Sequence, residues 1–335
     1  MEYDRRTLLS VIAAGAALPG CARAQPVSAG WPDFAARFLA PDGRVIDTGN
    51  GNISHSEGQG YGLLFAEAAG DRVAFDRIWN WTRQTLARSD VNLFVWRYDP
   101  TVPQPMSDPN NATDGDMLIA WALLRAASRW GDADYAEQSG RIRAAVLARL
   151  VRPFGGRTLL LPGLQGFAAS DHITINPSYY VWPALDAFVA ADAGSWRTLI
   201  ADGERLMKDM RFGSFGLPTD WVDVAVKGAL APAAGRPPRF GFDAIRVPLY
   251  LIWSGRTNAL GPYRRYWKSY VQQKRLIPAW IDVTDGKVAP YALSPGGASV
   301  AHLVVDGYFV RAGGDYYSTA LADLAALAAR RQWAA

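Results

Sequence analysis

Three acidic residues stand in settings that suit chemistry. Glu57 lies in His55-Ser56-Glu57-Gly58-Gln59-Gly60-Tyr61-Gly62-Leu63-Leu64-Phe65, a carboxylate among alternating glycines at the head of an apolar run. Each glycine costs backbone entropy, so the pattern predicts a ligand approaching that backbone closely. Asp114 lies in Asn110-Asn111-Ala112-Thr113-Asp114-Gly115-Asp116, and Asp243 in Gly241-Phe242-Asp243-Ala244-Ile245-Arg246-Val247-Pro248. Local explanations compete for each. Ser56 is placed to cap a helix. Thr113 and Asp116 have the spacing of a capping box, which leaves Asp114 as an extra acid in a first turn where the helix dipole favours it. A calcium loop is a third reading of that segment, although its spacing is not that of an EF-hand. Asp243 is explained as a cap or as the partner of Arg246 one turn later. If the acids converge instead, their chemistry is defined: of two carboxyls facing across a cleft, a protonated one donates to a leaving oxygen and an ionised one activates water, which cleaves a glycosidic bond. Helix N-termini favour the ionised form, so the acid needs desolvation or a second carboxylate to keep its proton.

The elements that must position these acids come in two kinds. Tyr61–Ala69, Met117–Ala127, Pro177–Ala191, Ala244–Trp253 and Tyr317–Ala329 are apolar nearly all round, with Glu67 the only charge in the first and Arg125 the only polar residue in the second. Helices of that type are buried on every side. Asp71–Arg88, Asp132–Leu150 and Gly194–Met210 are amphipathic and cover them. Inner helices begin near Glu57, Asp114, Ser178 and Asp243, each followed by an outer helix after a short turn. The predicted architecture is all-α: a ring of five or six helical hairpins whose inner helices run parallel, with their N-terminal ends at one mouth. The loops over 89–111, 152–176 and 211–240 precede inner helices and gather there, with a short strand at Thr158–Leu161. Loops of this length in a compact domain are often functional.

The chain has 335 residues, a net charge of +4 and scattered basic residues, with no Lys/Arg block to argue for nucleic acid. Its 13 Trp and 14 Tyr are many for this length; core packing accounts for most of them, and the rest offer stacking platforms for flat ligands such as sugar rings. His55, His172 and His302 form no familiar metal-ligand spacing, and the glycines at 58–62 follow no strand, so neither a metal nor a dinucleotide is expected. Arg5-Arg6, an apolar run from Leu8 to Pro19 and Ala22-Arg23-Ala24 read as a twin-arginine-like export signal over 1–24. Leu18-Pro19-Gly20-Cys21 reads alternatively as a lipoprotein site. The mature chain, 25–335, is then a single catalytic domain without cysteine or a transmembrane run, placed in the periplasm or secreted.

Taken together, Ser56-Glu57-Gly58-Gln59-Gly60-Tyr61-Gly62, Ala112-Thr113-Asp114-Gly115-Asp116 through Ile119-Ala120 to Trp130, and Phe242-Asp243-Ala244-Ile245-Arg246-Val247-Pro248 resemble glycoside hydrolase family 8, most closely the endoglucanases encoded with bacterial cellulose synthase. Asp47-Thr48-Gly49-Asn50 and Asn176-Pro177-Ser178-Tyr179-Tyr180 extend the resemblance. It implies an (α/α)6 barrel and an inverting endo-β-1,4-glucanase that needs no cofactor. Glu57 would be the general acid, Asp243 the general base, and Asp114 would hydrogen-bond the sugar and hold it distorted. Arg246 would orient the base region. Trp96, Tyr179, Phe242, Asn176 and Tyr180 would line the sugar subsites. Partners implied are a β-1,4-glucan chain and the cellulose synthase complex.

Overall fold

Apolar patterning sets the layers. The structure, a computed structural model, describes residues 30–310 and 313–333; the export segment read at 1–24, with Cys21, lies outside them. Among the described residues there are eleven α-helices: α1 (Trp31–Phe38), α2 (Ser56–Ala69), α3 (Arg72–Thr85), α4 (Thr113–Trp130), α5 (Ala133–Leu150), α6 (Trp182–Ala191), α7 (Arg197–Asp209), α8 (Arg246–Trp253), α9 (Gly261–Val271), α10 (Pro295–Asp306) and α11 (Tyr316–Trp333). Every residue of α8 is buried, and α2 and α4 are buried from their first turn onward. The helices between them bury one stripe only, such as Phe75, Ile78 and Trp79 in α3 or Leu199, Leu206 and Met207 in α7. This is the inner and outer arrangement that the two kinds of periodicity predict.

Small residues decide how closely the inner helices approach. A Cβ at Gly60 would lie 2.6 Å from Leu118 Cβ, and one at Gly115 would lie 2.7 Å from the Glu57 backbone nitrogen. The alternating glycines of α2 therefore serve helix contact: Gly62 faces Val45, and Gly58 faces the Tyr316 hydroxyl. The ligand-approach reading of these glycines is corrected by this packing. Farther along, the solitary charges of the two runs find each other. Arg125 Nε donates to Glu67 at 2.7 Å, and Arg129 joins at 3.5 Å.

Two connections depart from a repeated hairpin. The stretch from Pro177 breaks into a 3₁₀ turn (Pro177–Tyr179) before α6, whose first turn holds Pro183, a residue suited to a helix start. At the other end, Gly296 N–H donates to Ser318 Oγ at 2.9 Å, and a Cβ at Gly296 would overlap the Ser318 carbonyl. Helices α10 and α11 thus begin side by side, and the expected inner–outer alternation does not hold for this pair. The ring closes through α1: Phe34 lies edge-on to Phe65 of α2 at 4.9 Å, and Phe38 edge-on to Tyr316 of α11 at 5.6 Å.

Strands are short and confined to the loops. Ser54–His55 pairs with Arg97–Tyr98, which brings Trp96 beside the start of α2, where its carbonyl accepts from Ser56 N–H at 3.0 Å. Val151–Phe154 pairs with Arg157–Leu160, close to the predicted strand. His172–Ile175, Val222–Ala225 and Leu230–Pro232 form a three-stranded antiparallel sheet that ties two of the long loops together.

Candidate active site

Parallel inner helices deliver their first turns to one cavity of about 220 Å³. Glu57 reaches it from α2, Asp114 from α4, Tyr179 from the turn before α6, Asp243 and Arg246 from the start of α8, and Tyr317 from α11. Trp96 forms part of its wall, with its indole N–H given to Asp108 at 2.7 Å.

Arg246 organises the acids. It is buried and carries one guanidinium into contact with all three: Nη1 pairs with Glu57 and lies 3.5 Å from Asp114 Oδ2, while Nη2 donates to Asp243 Oδ1 at 2.8 Å and to Ser178 Oγ at 2.9 Å. The Tyr61 hydroxyl donates to Glu57 Oε1 at 2.9 Å and accepts from Arg246 at 3.3 Å. Donors therefore surround Glu57.

Burial acts on the other two acids. It pushes the Asp243 carboxyl up to about 6, against the opposing pull of the Asn176 amide and the Arg236 guanidinium. Asp114 is raised well above the carboxylate range, first by burial and then by the charge of Asp243, despite the Gly115 N–H on its Oδ1 at 2.8 Å. A carboxylate group that sequence reasoning missed belongs to the same cluster. Asp220 Oδ1 accepts from the backbone N–H groups of Gly241, Asp243 and Ala244 at 3.1, 3.1 and 2.7 Å. Burial and the neighbouring Asp243 push Asp220 up to about 7. The only signal was an acid between Thr219 and Trp221 in a loop already marked by its length.

Of the local explanations for the acids, the pairing of Asp243 with Arg246 holds, and the others give way. His55, not Ser56, caps α2: its Nδ1 accepts from Gly58 N–H at 3.0 Å, and its Nε2 lies 3.4 Å from Asp47. The capping box does not form. Thr113 Oγ1 donates to the Leu161 carbonyl, while fully buried Asp116 accepts from Phe94 N–H at 2.9 Å and from the Asn111 amide at 2.7 Å. Asp116 thereby ties the loop before α4 to its helix, and burial raises its carboxyl to about 7. Asp243 caps nothing, because α8 starts three residues later at Arg246.

The expected wall residues divide. Tyr179, Trp96 and Arg246 line the cavity. Asn176 sits just behind it, its Oδ1 accepting from Ser178 N–H and Oγ–H at 3.0 and 2.7 Å. Tyr180 is corrected to a core residue: it is 1% exposed, its hydroxyl accepts from Leu160 N–H, and its ring packs on Trp182. Successive residues of this turn point to opposite sides, so only Tyr179 faces the cavity. Phe242, 54% exposed, lines a neighbouring hollow and not the acid cavity; its carbonyl accepts from the Tyr317 hydroxyl at 2.5 Å. Tyr317 was not anticipated because it begins a run that reads only as core.

Acids and aromatics converging at the mouth of a helical ring narrow the candidates, and comparison decides the family. Residues 5–330 match the profile described as Glycosyl hydrolases family 8. The chain belongs to this family. As a family 8 protein it is 47% identical over 277 residues to an endoglucanase of Cellulomonas uda, covering 82% of this chain and 77% of that one. It is similar to the crystal structure of endoglucanase Cel10 from Klebsiella pneumoniae, with a TM-score of 0.88 and 44% identity over 91% of this chain and 99% of the other. It is also similar to the endo-beta-1,4-glucanase CMCax of Acetobacter xylinum, with a TM-score of 0.88 and 41% identity over 93% and 100% of the two chains. The ring of helices is thus the (α/α)6 fold, and this family 8 chain is a glycoside hydrolase.

Proposed function

We propose that this family 8 protein hydrolyses internal β-1,4-glucosidic bonds of a glucan chain with inversion at the anomeric carbon. One observation carries the residue roles: Glu57 and Asp243, from opposite parts of the ring, meet at the two arms of one buried guanidinium in an open cavity. Glu57 gives its proton to the leaving glycosidic oxygen as the carbon–oxygen bond breaks. Asp243 takes a proton from the water that attacks the opposite face. Asp114, whose carboxyl burial raises, hydrogen-bonds a sugar hydroxyl and holds the ring in its distorted form. One water is consumed, and solvent returns the proton from Asp243 to Glu57.

Glu57 must carry its proton when the glucan is bound. A sugar entering the cavity separates Arg246 Nη1 from Glu57 and excludes water, and both effects let Glu57 hold its proton. Arg246 Nη2 stays on Asp243 and keeps the base ionised. The resemblance of the three motifs to endoglucanases encoded with cellulose synthase supports a further reading: the enzyme is exported and trims glucan as it is made.

The test is hydrolysis of carboxymethyl cellulose and cellopentaose, with NMR of the first anomer formed. Wild type should release α-anomers, while Glu57→Gln and Asp243→Asn should each lose about 10³-fold or more in kcat, the scale on which essential proton-transfer groups act. Release of β-anomers would sink the inverting assignment, and activity on xylan or chitosan alone would move the substrate.

A further inference from the structure

Beside the acid cavity lies a second hollow of about 200 Å³, formed by Trp221, Arg236, Arg239, Phe242 and Trp280. It adjoins the base closely. Phe242 precedes Asp243 in the chain, and Asp220, which also borders the hollow, accepts the Asp243 N–H at 3.1 Å. A floor of tryptophans at a glucanase site would ordinarily offer ring faces to sugars. Here an arginine lies over one face of each tryptophan. Arg236 Cζ lies 3.9 Å from the centroid of the Trp221 ring, and Phe167 stacks on the same indole at 5.6 Å with an interplanar angle of 3°. Arg239 Cζ lies 3.6 Å from the centroid of Trp280. At that distance only a near-parallel guanidinium fits, because an edge-on one would drive a nitrogen into the ring.

A guanidinium lying flat on an aromatic face keeps its charge and holds its N–H donors around its rim, free for a partner in that plane. These donors are uncommitted. Arg239 Nε is buried out of solvent's reach, so the donors a ligand would meet are the terminal nitrogens. Among the described residues neither arginine forms an ion pair, although the charge of Arg236 reaches Asp243. By contrast Arg72, Arg125, Arg143 and Arg256 each hold one. Two oriented cations with open donors match a carboxylate far better than a neutral hydroxyl.

We propose that this hollow is a subsite for a carboxylate-bearing unit of the glucan chain, so that the enzyme favours acidic β-1,4-glucans over neutral ones. The proposal rests on the endoglucanase reading above. Its test compares kcat/KM on carboxymethyl cellulose with kcat/KM on hydroxyethyl cellulose and follows the ratio of the two. The purified wild-type protein is set beside Arg236→Gln/Arg239→Gln, Arg236→Lys/Arg239→Lys and the single Arg236→Gln, whose exposed position keeps the test alive if the Gln pair does not fold. At about pH 7.5 and about 20 mM salt the Gln pair should lower the ratio about tenfold through KM, as expected for loss of a charge-assisted pair. The wild-type ratio should fall several-fold on raising salt to about 300 mM, and the Gln pair should show no such salt dependence. The Lys pair should keep most of that dependence. A ratio unchanged within about twofold in the Gln pair, or a Lys pair indistinguishable from it, overturns the proposal. Wild type that cuts neither hydroxyethyl cellulose nor cellopentaose overturns the endoglucanase reading, and this subsite with it.

Discussion

Arg246 shares its guanidinium among three acids with different tasks, which makes it sensitive to exchange. A lysine offers one point charge where two arms of a fork are used, so Arg246→Lys should lower kcat by about 10²-fold or more with little change in KM, measured on cellopentaose. The base sets the acid limb of the pH profile. Asp243 stands at about 6 and must be ionised to accept a proton, so kcat/KM should fall as pH drops through that value. Asp220 provides a finer check. Asn at this position keeps an acceptor for the three backbone N–H groups, and Asp220, at about 7, still holds its proton where Asp243 titrates, so Asp220→Asn should leave the acid limb in place. Asp220→Ala removes the acceptor as well and should cost about tenfold in kcat from misplacement of the base. A limb displaced in Asp220→Asn would show that Asp220 is already ionised where Asp243 titrates. Glu57, Asp114 and Asp243 were legible in the sequence because each stands next to the start of a long apolar run. Asp220 was not, because it acts by holding backbone from an irregular loop, and no spacing records that.

The distance between the helices that carry Glu57 and Asp114 is set by residues without side chains. Gly115→Ala would press a methyl group against Ser56 and the Glu57 backbone. It should destabilise the fold by about 1–3 kcal/mol, as overpacking does in a close-packed interior. Because the same contact positions the acid, kcat should fall more than stability alone explains; chemical denaturation and single-turnover hydrolysis separate the two effects. Inner and outer helices were readable from periodicity, because burial on every side and burial on one side leave different patterns of apolar residues. The purpose of the glycines was not readable. A glycine that admits a ligand and a glycine that admits a neighbouring helix look alike until the neighbour is known. The capping residues failed for a related reason: Ser56 and Thr113 satisfy local rules, but tertiary partners at the crowded mouth claim the same positions for His55 and the Leu161 carbonyl.

Across the molecule, burial raises several acids. Asp116 and Asp220 stand at about 7 and Asp243 at about 6, above the value near 4 expected in the unfolded chain. The folded chain then binds protons that the unfolded chain has released, so this contribution to stability is complete below about pH 4 and is lost as pH rises through about 7. Other acids oppose it at the low end. Burial alone would raise Asp192, but Arg143 and Trp196 hold it below the usual range, and its contribution disappears as pH falls through its folded value. Thermal unfolding should therefore show a Tm a few degrees higher at about pH 5 than at about pH 8, while turnover needs Asp243 ionised and improves above about 6. Stability and activity pull toward different pH within one cluster of carboxyls. The seam at α1 carries a consequence for how the protein comes into being. Phe34 and Phe38 meet Tyr316, and Gly30 lies against Asp323, so the ring is joined by residues nearly a whole chain apart. During synthesis α1 emerges among the first elements and waits, its aromatic face uncovered, until the last helix is made. Such long-range closure is slow, and a nascent chain halted before α11 is an open arc that holds Glu57, Asp114 and Asp243 but cannot yet be a ring.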